Sequence, residues 1–85
     1  MRVNHIEAQF VGKSRFEDRN DNSKSRWYCH FIYKSDYIVG YGTIVFPIYD
    51  NNSHVKVDDM NIQDNYKIVY VSDRGYNTLV TIDKI

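Results

Sequence analysis

Leucine and alanine, two of the strongest helix formers, occur once each in this 85-residue chain, as Leu79 and Ala8. A helical architecture is therefore not expected. Cys29 is the only cysteine, which excludes an intramolecular disulfide and any zinc site built from several thiolates. Eleven basic side chains are matched by eleven acidic ones, so the total charge supplies no long-range attraction to nucleic acid or to an anionic membrane. Nowhere do the roughly 18 apolar residues of a membrane span follow one another, and Met1 to His5 lacks the apolar run of a signal peptide. These features fit a soluble, cytoplasmic protein with no membrane partner. Only four glycines are present, and Gly40-Tyr41-Gly42 is not followed by a helix, so no phosphate-cradling loop is indicated.

Strand-forming residues fill the space that the helix formers leave. Val, Ile and Thr together with Tyr, Phe and Trp account for 34 of the 85 positions, which points to an all-β fold. At this length folding buries only about 60 to 65 % of the unfolded chain's surface, so a second subunit would add needed burial.

The stretch Arg26 to Phe46 reads as two long strands folded back at Lys34-Ser35-Asp36. Side chains alternate along a strand, so Trp27, Cys29, Phe31 and Tyr33 share one face and Tyr28, His30 and Ile32 the other. Both faces are apolar. One can build a core, and the other must meet solvent, a ligand or a second copy in a homodimer. Gly40 and Gly42, on one face of the returning strand, either mark strong coiling or make room for a facing Trp27 or tyrosine.

Before this hairpin, Val3 to Val11 alternates as a half-buried first strand, with Ile6, Ala8 and Phe10 on its apolar side. Gly12 to Ser25 reads as a long loop rich in Asn, Asp and Ser. After the hairpin, Pro47 is expected to end its strand for want of an N–H. His54 to Asp58 could form a short edge strand, and Asp58 to Gln63 at most a turn or two of helix capped by a carboxylate. A second hairpin, Tyr66 to Val71 and Tyr76 to Ile82, closes at Ser72-Asp73-Arg74-Gly75. Five or six short strands of this kind suggest a small OB-like barrel or a strongly bent antiparallel sheet spanning residues 1–85.

Three pieces of this layout carry a family likeness: Ala8-Gln9-Phe10, the basic loop Lys13 to Arg26, and Val71-Ser72-Asp73-Arg74-Gly75-Tyr76. Their order around a long aromatic hairpin resembles the small single-stranded DNA-binding proteins of filamentous phages, which are OB-like dimers. The resemblance implies a phage or mobile-element protein that grips single-stranded DNA through Arg15, Arg19, Lys24, Arg26, Tyr28, Tyr41, Arg74 and Tyr76.

Independently of that likeness, a single strand of DNA or RNA is held by cations tracking its backbone and by aromatic faces on which bases stack. Basic residues beside aromatic ones occur at Lys13-Ser14-Arg15-Phe16, Arg26-Trp27-Tyr28 and Arg74-Gly75-Tyr76. Tyrosine and arginine also dominate protein interfaces, so a small inhibitor or adaptor that binds a host protein is the competing expectation. An enzyme is not expected. His5, His30 and His54 are far apart in sequence, and Cys29 and His30 point to opposite faces of one strand. No cofactor is implied, and Asp58-Asp59 lacks the spacing of a calcium loop, so no metal site is assigned.

Overall fold

The computed structural model describes residues 2–85 and is all-β. Five antiparallel strands form one sheet in the order β3-β2-β1-β4-β5. They are β1 (Arg2–Phe16), β2 (Arg26–Tyr33), β3 (Gly42–Tyr49), β4 (Asn65–Asp73) and β5 (Tyr76–Lys84). The sheet bends until its two edge strands, β3 and β5, come into contact, but no ladder joins them and it does not close. Among the described residues no helix is long and apolar enough to cross a membrane.

The bend originates in β1. Its first half, Arg2 to Gln9, pairs with β4, and its second, Gln9 to Phe16, pairs with β2. Between Phe10 and Gly12 the register slips by one residue, a bulge that twists the strand as it changes partners. The first strand is therefore longer than Val3 to Val11, and it absorbs the first five residues of the expected loop. The remaining turn is organised by local side-chain caps. Asp18 accepts from the backbone N–H groups of Asn20 and Asp21, Asp21 caps the short 3₁₀ turn Asn22–Lys24, and the buried Ser25 hydroxyl accepts from Asp18 N–H.

The concave side of the sheet is the core. Ala8 and Phe10, then Cys29 and Phe31, then Ile44, Phe46 and Ile48 line it, with Tyr66 and Ile68 closing the far side. Phe31 is central: its ring lies 5.5 Å from Phe10, 6.0 Å from Phe46 and 6.2 Å from Tyr66. Phe46 also meets Tyr70 at 5.2 Å, a contact across the concave side between the edge strand β3 and β4. Cys29 is completely buried, and burial pushes its thiol up to about 11, so it is a protonated packing residue at neutral pH.

Several boundaries differ from the sequence-based expectations. The turn at Lys34-Ser35-Asp36 is a longer loop, 34–41, and β3 starts only at Gly42. Gly40 thus lies outside the sheet. Gly42 does make room for a tyrosine, since a Cβ there would sit 2.6 Å from Cζ of Tyr33. Pro47 does not end its strand but lies inside β3 opposite Tyr28. It is tolerated because β3 is a sheet edge, where an N–H can be missing from the outward side. Residues His54 to Asp58 form no strand; the segment carries a 3₁₀ turn, Val57–Asp59, preceded by Lys56 with no side-chain cap. In the last hairpin the two turn residues are Arg74 and Gly75, at φ 54° and 84°. Paired positive φ values match the right-handed twist of the flanking strands, and glycine accepts its share without strain.

Candidate nucleic-acid interface

Strand alternation sorts the expected binding residues onto two faces. In β1 the bulge at Val11 shifts the parity, so Lys13 and Arg15 fall opposite Cys29 and Trp27 on the concave side, while Ser14 and Phe16 fall opposite Tyr28 and Arg26 on the convex side. The run Lys13-Ser14-Arg15-Phe16 is thereby split, and so is Arg26-Trp27-Tyr28.

On the concave side, Lys13 Nζ lies 4.4 Å and Arg15 Cζ 5.1 Å from the centre of the Trp27 ring, at the rim of the core. Both cations are occupied. Arg15 makes a two-pronged pair with Asp50, each bond 2.7 Å, and reaches Glu17 at 3.5 Å; Lys13 lies 3.8 Å from Asp58. These contacts border an open cleft of about 610 Å³ walled by Trp27, Ile48 and the acidic segment Asp50 to Asp59. A phosphate placed here would meet carboxylates as well as cations. Hydrogen bonds from Arg15 hold the Asp50 carboxyl below its ordinary value.

That depression sets the direction of a pH effect. A carboxyl whose folded value is lowered stabilises the fold above its unfolded value, about 3.9, and loses that contribution as pH falls through the folded value. The thermal midpoint of Asp50→Asn is therefore expected below that of the parent from about pH 5 to 7, with the gap narrowing below about pH 4. A gap independent of pH would show that the ion pair is not its source.

The convex side is different. Arg26 lies at the end of β2 with its guanidinium carbon 4.4 Å from the Phe16 ring centre, 5.2 Å from Tyr49 and 5.6 Å from Tyr28. Its Nε donates to the Tyr28 hydroxyl at 2.9 Å and its Nη1 to the Lys24 carbonyl at 2.9 Å. The bond to Tyr28 raises the basicity of the guanidinium further. Among the described residues no carboxylate stands within 4.0 Å of it. The result is one cation set among three rings on a solvent-facing sheet.

Across the open seam of the sheet, the β4–β5 hairpin brings Gly75, Tyr76 and Asn77 to the same place. With Arg26, Tyr28, Val45, Pro47 and Tyr49 they enclose a groove of about 410 Å³. Tyr76 is 78 % exposed there. Beyond it, Ser14 and His30 continue the convex surface, linked by a 3.1 Å hydrogen bond.

Of the residues expected from sequence, the structure thus gathers Phe16, Arg26, Tyr28 and Tyr76. Arg19 and Lys24 stand on the 17–25 turn and Arg74 on the hairpin turn, all exposed and without an ion-pair partner among the described residues. Tyr41 is 65 % exposed but belongs to the 34–41 loop, at the opposite end of β2 from Arg26, about 23 Å away at 3.3 Å per residue. Tyr49, Pro47 and Asn77 were missed. The signal for Tyr49 was present: once β3 continues through Pro47, period two puts Val45, Pro47 and Tyr49 on one face. No family model, curated protein or solved structure matches this chain.

Proposed function

We propose that this protein binds single-stranded nucleic acid, with DNA as the expected form, along the convex face of β2 and β3. The observation that carries the reading is Arg26, a cation with no ion-pair partner among the described residues, flanked by Phe16, Tyr28 and Tyr49 beside a groove that Tyr76 overhangs. Arginine supplies phosphate contact or stacking, and rings supply faces for bases of any sequence. The position supports the reading as well. OB domains are partly open five-stranded barrels that take oligonucleotides on the face of strands two and three and on the loops joining strands one to two and four to five. Here those loops are 17–25, which carries Arg19 and Lys24, and Arg74-Gly75. Asp50 and Asp58, which pair with Arg15 and Lys13, lie on the other face, while the 17–25 loop sets Glu17, Asp18 and Asp21 beside Arg19 and Lys24, so the reading rests on Arg26 and its rings rather than on a surplus of charge.

A labelled oligo(dT) titrated with the protein is expected to gain fluorescence anisotropy at low salt and to lose it as salt is added, by about 0.7 log units in affinity per phosphate contact for each log unit of salt. With so few free cations, the slope should correspond to about two to four contacts. A flat titration with single-stranded DNA, duplex DNA and RNA would overturn the proposal and leave the same aromatic groove to a protein ligand, as in an inhibitor or adaptor of a host protein.

A further inference from the structure

Buried polar side chains of folded proteins nearly all have a hydrogen-bond partner, and among the described residues two such atoms lack one, Asp64 Oδ2 and the Tyr66 hydroxyl. The carboxylate oxygen has company, since Lys84 Nζ stands 3.1 Å away. No charged or polar side chain does the same for Tyr66. This residue is only 5 % exposed, on β4 between Ala8 of β1 and Lys84 of β5, and its ring packs edge-on against Phe31.

Tyr66 also lines a cleft of about 370 Å³ that opens between the end of β5 and the segment 54–60. Val55, Met60 and Ile82 form its apolar walls. An adjoining cleft of about 340 Å³ shares His54, Val55 and Ile82 and extends the space toward Val80. Charge around the opening cancels, because Lys56 and Lys84 stand with Asp59 and with Asp64, the partner of Lys84. The cleft lies at the end of β5 away from Tyr76, about 20 to 26 Å along the strand at 3.3 Å per residue, and is separate from the Arg26 groove.

Small-molecule sites are concave and mainly apolar, with a few polar groups that fix the ligand's orientation. The chemistry of the occupant follows from these walls. We propose that the cleft binds a small, neutral, mainly apolar carbonyl compound, with the Tyr66 hydroxyl donating to its oxygen and the hydrocarbon part lying against Val55, Met60 and Ile82. An ion would shed its hydration without gaining a net countercharge, so a neutral ligand is preferred. The hydroxyl lies beneath the surface of the cleft, so a side chain has to move before a ligand can reach it. Val55 and Ile82 are β-branched and stiff, whereas Met60 is unbranched and adaptable, which makes Met60 the wall that gives way.

Acetophenone and ethylbenzene make a matched pair of probes, the second carrying a methylene where the first has its carbonyl. Each is titrated into isotope-labelled protein, with benzoate as the charged analogue, and the backbone amide signals are followed by NMR. Acetophenone is expected to shift the signals of Val55, Met60, Tyr66 and Ile82 in a saturable way, with a dissociation constant of about 1 mM, ordinary for so few atoms. Ethylbenzene should bind about 3- to 10-fold more weakly, the loss of one hydrogen bond, and benzoate should also be weaker than acetophenone. Tyr66→Phe keeps the ring and its contact with Phe31, and should bring acetophenone down to the level of ethylbenzene. Without ligand this variant should melt above the parent, because a buried hydroxyl with no partner has been removed. No oligonucleotide enters these measurements, so their outcome is independent of the proposed function. Equal binding of acetophenone and ethylbenzene by the parent, tighter binding of benzoate, or a Tyr66→Phe midpoint at or below that of the parent, the sign of a hydroxyl already paired with water, would overturn the proposal.

Discussion

Phe31→Ala is expected to cost this fold about 3 to 5 kcal/mol, the usual penalty for removing a buried phenylalanine from a packed core. Phe31 is 1 % exposed and its ring contacts three others contributed by three different strands, Phe10 on β1, Phe46 on β3 and Tyr66 on β4. A cavity there cannot be refilled by moving one element, since each neighbour is anchored in the same bent sheet. For a domain of this size each kcal/mol shifts the thermal midpoint by about 4 to 8 °C, so a fall of well over 10 °C should follow. Val45→Ala is the control. It lies on the adjacent strand but on the convex face, 40 % exposed, and should shift stability by no more than about 0.5 kcal/mol. Equal losses for the two variants, measured by thermal or urea denaturation, would mean that the concave face is not the core.

Arg26→Ala is expected to have the largest effect on binding of oligo(dT). Removing the cation takes away one phosphate contact, which should lower the salt slope by about 0.7, and it also frees the three rings that the guanidinium now spaces. Tyr76→Ala should weaken binding by about 5- to 150-fold, the equivalent of one lost base stack at 1 to 3 kcal/mol. Two other substitutions separate this site from the one expected on sequence grounds. Arg15→Ala should lower the thermal midpoint through loss of its pair with Asp50 and change affinity little, because that guanidinium faces the cleft on the concave side. Tyr41→Ala should leave binding of a short oligonucleotide nearly unchanged, given its distance from Arg26 along β2. If Arg15→Ala abolishes binding while Arg26→Ala does not, the interface has been placed on the wrong face.

The all-β class and the division of β2 into two faces were legible in the sequence. Cys29 and Phe31 share a face because period two is a local property, set by the backbone of each residue and its neighbours, but that this face is the inward one only folding shows. The last hairpin was legible for the same reason, with Gly75 supplying a conformation that few other residues accept. The tertiary structure alone decided where β1 changes partner, which side Lys13 and Arg15 face, and that Pro47 is carried within a strand. A one-residue bulge reverses the parity of everything beyond it, and an edge position removes the need for a proline's missing donor; neither can be read from neighbours in the chain. The same holds for charge. Arg15 looks like a free cation in a basic run until folding places Asp50, 35 residues away, against it, whereas Arg26 is left without an ion-pair partner because rings and the Lys24 carbonyl make its direct contacts and Asp18 acts on it only from a distance.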